Sequence, residues 1–227
     1  MNLKLLQDLL NDFQNWQLAQ PELESHFHWE CLKNFQDNWE PEAPDLQAMY
    51  NSSLQSQLSR QLWKKEQYFP KEMMLAFIPL QPDFVRDGFR DLLNENKSVD
   101  GRMGRFLFYC DQLLEEYKRV NPTSVTNNHY HGDYYMIALY LAFSYPEMYC
   151  LYDPEGFRCF LEKVKAPNPP VTHDLERYFK VSRTVGKFLD RKQALQDYYR
   201  HQLKAEMYYS GKTLLPVYQF YRYLSSF

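Results

Sequence analysis

The chain has 227 residues, a formal net charge of −3 and a pI near 6.1, so no global positive charge draws it to nucleic acid, and any such attraction must be local. Hydrophobic residues make up 44% of it, enough for a packed core, and 19 Tyr and 16 Phe against 7 Gly point to bulky helix packing instead of tight-turned sheets. Cys31, Cys110, Cys150 and Cys159 are scattered without a CxxC pair, which speaks against a disulfide framework and for a reduced, cytoplasmic setting.

Leu6, Leu9, Leu10, Phe13 and Trp16 recur at helical spacing, with Asp8 and Asp12 between them, so the first segment reads as an amphipathic helix and not a signal peptide. Pro21 opens the next predicted helix, with Leu23, Phe27, Cys31, Leu32, Phe35 and Trp39 on its apolar side, and Pro41 to Asp45 breaks it. A third helix is predicted from Asp45 to about Trp63 on the i, i+4 line Leu54, Leu58, Leu62. Up to Arg60 nine acidic residues face three basic ones, and residues 1–65 read as an acidic N-terminal helical subdomain, 66–227 as the main helical domain.

From Pro70 the pattern stays helical: Pro70 to Ile78, Pro82 to Asn94, then, after the turn Asn94 to Gly101, a longer helix with Met103, Phe106, Cys110, Leu113, Leu114 and Tyr117 on one face. The polar loop Asn121 to Asn128 leads to the most apolar stretch of the chain. There Asp133 is the expected N-cap, Tyr134 to Phe143 carries no charge, and Pro146 ends the run. A helix apolar on every side belongs in a core, and at roughly 12 residues this one falls short of the ~20 that span a bilayer. Asp153 and Pro154 start the next helix, through Val164, and Ala166 to Thr172, with its three prolines, is the expected extended linker. Helices are predicted from His173 to Leu189, Arg191 to Tyr209 and Leu214 to Leu224. Period-2 alternation is nowhere sustained, so the fold class is all-α: a compact multi-helix domain built round a buried central helix.

His129, His131 and Asp133 have the HxHxD spacing of metallo-β-lactamase-type metal sites, but Tyr134 stands where that pattern needs another His; a capping loop is the preferred reading, and neither a metal nor another cofactor is expected. Ser210-Gly211-Lys212-Thr213 echoes the end of a phosphate-binding loop, with Glu206 in the place of the glycine that starts one. No catalytic constellation emerges, and the chain reads as non-enzymatic. The positive signal is a basic stripe. Arg177, Lys180, Arg183 (or Thr184), Lys187 and Arg191 succeed one another at three or four residues, and Arg200 and Lys204 continue the trend. Between Asp174 and Lys204 eight basic residues, Lys192 included, stand against four acidic ones. Such a face suits a phosphate backbone, with Tyr178, Tyr198 and Tyr199 nearby to stack on an unpaired base, or else it is a solvated face answering the acidic first third. A protein-interaction surface is the alternative, built on Tyr218, Phe220, Tyr221, Tyr223 and Phe227.

Several segments together carry a family resemblance: Leu62 to Glu66, Pro70 to Leu75, Pro82 to Arg86, Gly101 through Phe106 to Lys118, His129 to His131, Ile137 to Phe143, Tyr145 to Glu147 and Asp174 to Val181. Over roughly Leu62 to Leu189 the chain resembles the helical N-terminal region of McrB-like AAA+ NTPases, the motors of modification-dependent restriction systems that act in phage defence. The resemblance implies a detached N-terminal module that selects plain or base-modified DNA. The AAA+ motor module and an McrC-like nuclease would be its partners, with no membrane involved. Better-known members use differently folded recognition domains, so the role passes to this chain by position alone.

Overall fold

Buried tyrosine hydroxyls need acceptors, and the way this chain supplies them dictates much of its packing. The computed structural model describes residues 2–59, 61–63, 68–122, 125–131, 134–170 and 173–226, the Gln61 side chain excepted. Among the described residues there are eleven α-helices and no β-strand: α1 (Leu3–Leu18), α2 (Phe27–Asn38), α3 (Leu46–Ser53), α4 (Pro70–Phe77), α5 (Pro82–Leu92), α6 (Val99–Val120), α7 (Tyr135–Ser144), α8 (Pro154–Lys163), α9 (Leu175–Leu189), α10 (Gln193–Gln202) and α11 (Leu215–Ser225). The fold is all-α, as the periodicity predicts. No described helix is long and apolar enough to cross a membrane.

The helices pack as two compact units, one of Phe27–Ser144 and one of Met1–His26 with Tyr145–Phe227, so the breaks in packing fall at 26/27 and 144/145 and not near residue 65. In the Phe27–Ser144 unit α2 packs on α3 and α7, α4 on α3 and α6, and α5 on α6. The predicted apolar helix is α7, buried at every position from Met136 to Phe143. Its expected cap, Asp133, lies outside the described residues. Tyr140 of α7 meets Tyr50 of α3 at 2.5 Å and Tyr130 at 2.8 Å, hydroxyl to hydroxyl, and the Tyr130 hydroxyl donates to the Pro70 carbonyl at 2.8 Å. A carbonyl only accepts, so the protons run Tyr50 to Tyr140 to Tyr130 to Pro70. Burial pushes all three phenols above their ordinary pKa and keeps them neutral. The rings of Trp39, Phe89 and Phe106 pack around Tyr140.

Of the helices shorter than predicted, α2 and α3 are cut short for reasons the hydrogen bonds show. His26 turns back on the Leu23 carbonyl through its amide (3.1 Å) and Nδ1 (2.7 Å), and α2 starts at Phe27 instead of Pro21. At the end of α3 the Asn34 amide takes the Ser52 and Ser53 carbonyls (2.7 and 3.1 Å) and the buried Lys71 ammonium takes that of Leu54 (2.7 Å). Carbonyls held by side chains offer nothing to a further helical turn, and Leu58 of the predicted line is 46% exposed.

In the other unit α11 packs on α1, α8 and α9, and α1 also on α10. The caps fall as the sequence indicates: Asp153 accepts from the Gly156 amide (3.0 Å) ahead of Pro154, and Asp174 from the Arg177 amide (3.0 Å). Gly156 faces α11 so closely that a Cβ there would collide with the Tyr221 carbonyl oxygen. The linker is not a free spacer in its described part, because the Arg177 guanidinium donates to the Pro167 and Asn168 carbonyls (3.0 and 2.6 Å).

Tyr130→Phe leaves two hydroxyls facing each other with one proton lacking an acceptor, and is expected to cost about 1–3 kcal/mol in urea denaturation. Tyr50→Phe removes only the donor end of the relay and should cost less. Gly156→Ala must push α8 off α11, and the expected loss, at least about 1–3 kcal/mol, is read in the same way.

Candidate nucleic-acid interface

Along α9 the buried side chains are Leu175, Tyr178, Phe179, Ser182, Val185, Gly186 and Leu189, which turns the predicted stripe away from the core. The stripe is not uniform. Arg177 and Arg183 are half-buried and spent on the fold: Arg177 holds the proline-rich segment, and Arg183 donates to the Met148 carbonyl at 3.1 Å. Lys180 and Lys187 are exposed and have no acidic partner among the described residues. Arg191 is exposed just beyond the helix end, its guanidinium 5.8 Å from the Phe188 ring centroid. Arg200 pairs with Asp197 at 3.0 Å, and Lys204 is exposed after α10, which ends at Gln202 and not at Tyr209.

Asp190, beside the stripe, is answered by Lys212 at 3.3 Å, which also shows Lys212 as a surface cation and not part of a phosphate loop. Among the described residues, Asp8, Asp12, Glu22 and Glu24 of the same unit form no ion pair with the stripe, so the acidic N-terminal stretch of this unit does not neutralise it.

The aromatic part of the reading needs correction. Tyr178 is fully buried, its hydroxyl donating to the Leu151 carbonyl at 2.5 Å, and Tyr199 is 7% exposed, donating to Gln219 Oε1 at 2.6 Å; neither is free to stack on a base. Tyr198 is half-buried and donates to the Gln20 carbonyl at 3.4 Å. Of the C-terminal aromatics, Phe220 and Tyr221 are buried against Phe160 and Phe157, Tyr218 and Tyr223 are half-buried, and Phe227 lies outside the described residues. No exposed aromatic patch forms there among the described residues.

His129 and His131 take separate partners. Nδ1 of His129 accepts from the Phe69 amide at 2.9 Å, and Nε2 of His131 lies 2.9 Å from Asp111 Oδ1. Among the described residues no three His, Cys, Asp or Glu side chains converge as a metal would need. Burial pushes the Cys31 and Cys150 thiols up to about 12 and raises Cys110 well above its ordinary value, so none of these is a poised nucleophile.

One feature escapes the sequence. A cavity of about 280 Å³ opens beside the N-termini of α8 and α9, lined by Tyr152, Pro154, Glu155, Phe157, Arg158, Pro170, His173 and Asp174. Its only trace in the sequence is the pair of capping aspartates, Asp153 and Asp174, which place two helix starts but not side by side.

Fold and surface define an all-helical protein with an exposed basic helix face. No family model, curated protein or solved structure matches the chain.

Burial disfavours the charged ring and lowers the His129 pKa from 6.5. A depressed folded-state value means that its contribution is complete above 6.5 and is lost as pH falls through the lowered value. The expected outcome is a fall in the thermal midpoint below that pH that is smaller in His129→Asn.

Proposed function

We propose that the chain is a non-enzymatic recognition module that binds nucleic acid through the phosphate backbone, using the α9 face. The observation that carries this is the exposure of Lys180 and Lys187, with Arg191 and Lys204 beyond them, none of which forms an ion pair among the described residues. Lys180 and Lys187 lie seven residues apart, roughly 10 Å along the helix, a spacing suited to two phosphates of one backbone. DNA as the target, an AAA+ motor module and an McrC-like nuclease as partners, and a role in restriction rest on the sequence resemblance over Leu62 to Leu189. A cytoplasmic setting is part of this reading and is supported by the four free cysteines, three of them buried. An assembly role built on the C-terminal aromatics is the lesser reading, since two of those rings are in the core.

In a gel-shift or anisotropy series, a face making about four phosphate contacts should lose on the order of 100-fold in affinity between about 50 and 200 mM salt. Lys180→Glu with Lys187→Glu and Lys204→Glu should weaken binding and flatten the salt slope, while Arg183→Gln should act mainly on stability. Absence of binding to any plain or base-modified DNA at low salt would refute the proposal.

A further inference from the structure

The cavity beside the starts of α8 and α9 has a lining of mixed character. Tyr152 and Phe157 are buried aromatics, and Pro154 and Pro170 add flat apolar surface. Around them stand both signs of charge, Arg158 against Glu155 and Asp174. Arg158 and Glu155 are exposed and have no ion-pair partner among the described residues.

That mixture discriminates between ligand classes. An anion in the cavity would be opposed by the two carboxylates, and Arg158 offsets part of their pull on a cation. A neutral, planar heterocycle with donors and acceptors on its edge is served by all three groups. One Asp174 oxygen is committed to the Arg177 amide at 3.0 Å, which leaves the other to accept, with Glu155, from an exocyclic amine; Arg158 donates to a ring carbonyl. Pro154 and Pro170 offer apolar surface to the faces of such a ring, while Tyr152 and Phe157, buried like Tyr199, are not stacking platforms.

Resting on the nucleic-acid reading of α9, we infer that this cavity holds one unstacked nucleobase of a single strand whose phosphates lie on Lys180 and Lys187. Asp174 caps the helix that carries both lysines, and Lys180 follows it by six residues, roughly 9 Å along the axis. One strand can therefore reach the cavity with a base and the lysines with its backbone. A duplex keeps its bases stacked and paired, so the cavity selects for an unpaired base.

The test is fluorescence anisotropy on the full chain with a labelled single strand, a strand of equal length and charge that is abasic at its centre, and a duplex. The base-bearing strand is expected to bind roughly 10-fold or more tightly than the abasic one. Glu155→Gln and Arg158→Gln, both at exposed positions and checked for an unchanged melting profile, should abolish most of that ratio and leave abasic binding as it was. Equal affinity for the base-bearing and abasic strands overturns the inference and leaves the lysine face standing. So does an Arg158→Gln loss equal on both, which makes Arg158 a phosphate contact only. If no strand binds at low salt, the lysine reading has failed. Saturation-transfer NMR with free cytidine and adenosine then decides the cavity alone: transfer that Arg158→Gln abolishes upholds it, and no transfer overturns it.

Discussion

The constraint on which both units depend is that a buried phenol must find an acceptor for its proton. An unmet hydroxyl costs more than the bond it forgoes, so tyrosine in a core fixes geometry in a way that phenylalanine does not. In the Phe27–Ser144 unit the relay Tyr50, Tyr140, Tyr130 ends on the Pro70 carbonyl, tying α3, α7 and the start of α4 to a single arrangement. In the other unit Tyr178 ends on Leu151, Tyr199 on Gln219, and Tyr221 lies 3.3 Å from Ser182. The aromatic wealth of the sequence is thus largely an interior property.

That interior use of tyrosine decides what is left for function. The rings that the sequence offers for base stacking are, at Tyr178 and Tyr199, core elements with their hydroxyls committed inward. The surface of α9 is left with charge instead of aromatic area. Under the proposed reading, charge without base-stacking rings holds a backbone and tells little about sequence.

The fold class, the buried α7, and the caps Asp153 and Asp174 are legible in the sequence because each depends on residues close together in the chain: period, capping and proline at N1. The end of α3 is not legible, because Asn34 and Lys71 stop it from 18 and 17 residues away. The division into units is hidden for the same reason. α1 looks like the first member of a local hairpin, yet its apolar face meets α10 and α11 near the other end of the sequence. For the candidate interface, the spacing of the cations is readable and their employment is not. The partners of Arg177 and Arg183 are backbone carbonyls, at Pro167, Asn168 and Met148, which carry no signature in residue type.

The split within the stripe follows from the chemistry of the two cations. Arginine presents a planar fork of donors that satisfies carbonyls, and both half-buried arginines of α9 do so. Lysine is a strongly hydrated point charge on a flexible stem, and Lys180 and Lys187 remain in water. The arginines hold α9 in place and the lysines are what it displays. Under the proposed reading, such a face, with Arg191 just beyond the helix end, would hold phosphates chiefly as point charges. On that same reading, discrimination would fall to the cavity whose rim includes the Asp174 cap of that same helix.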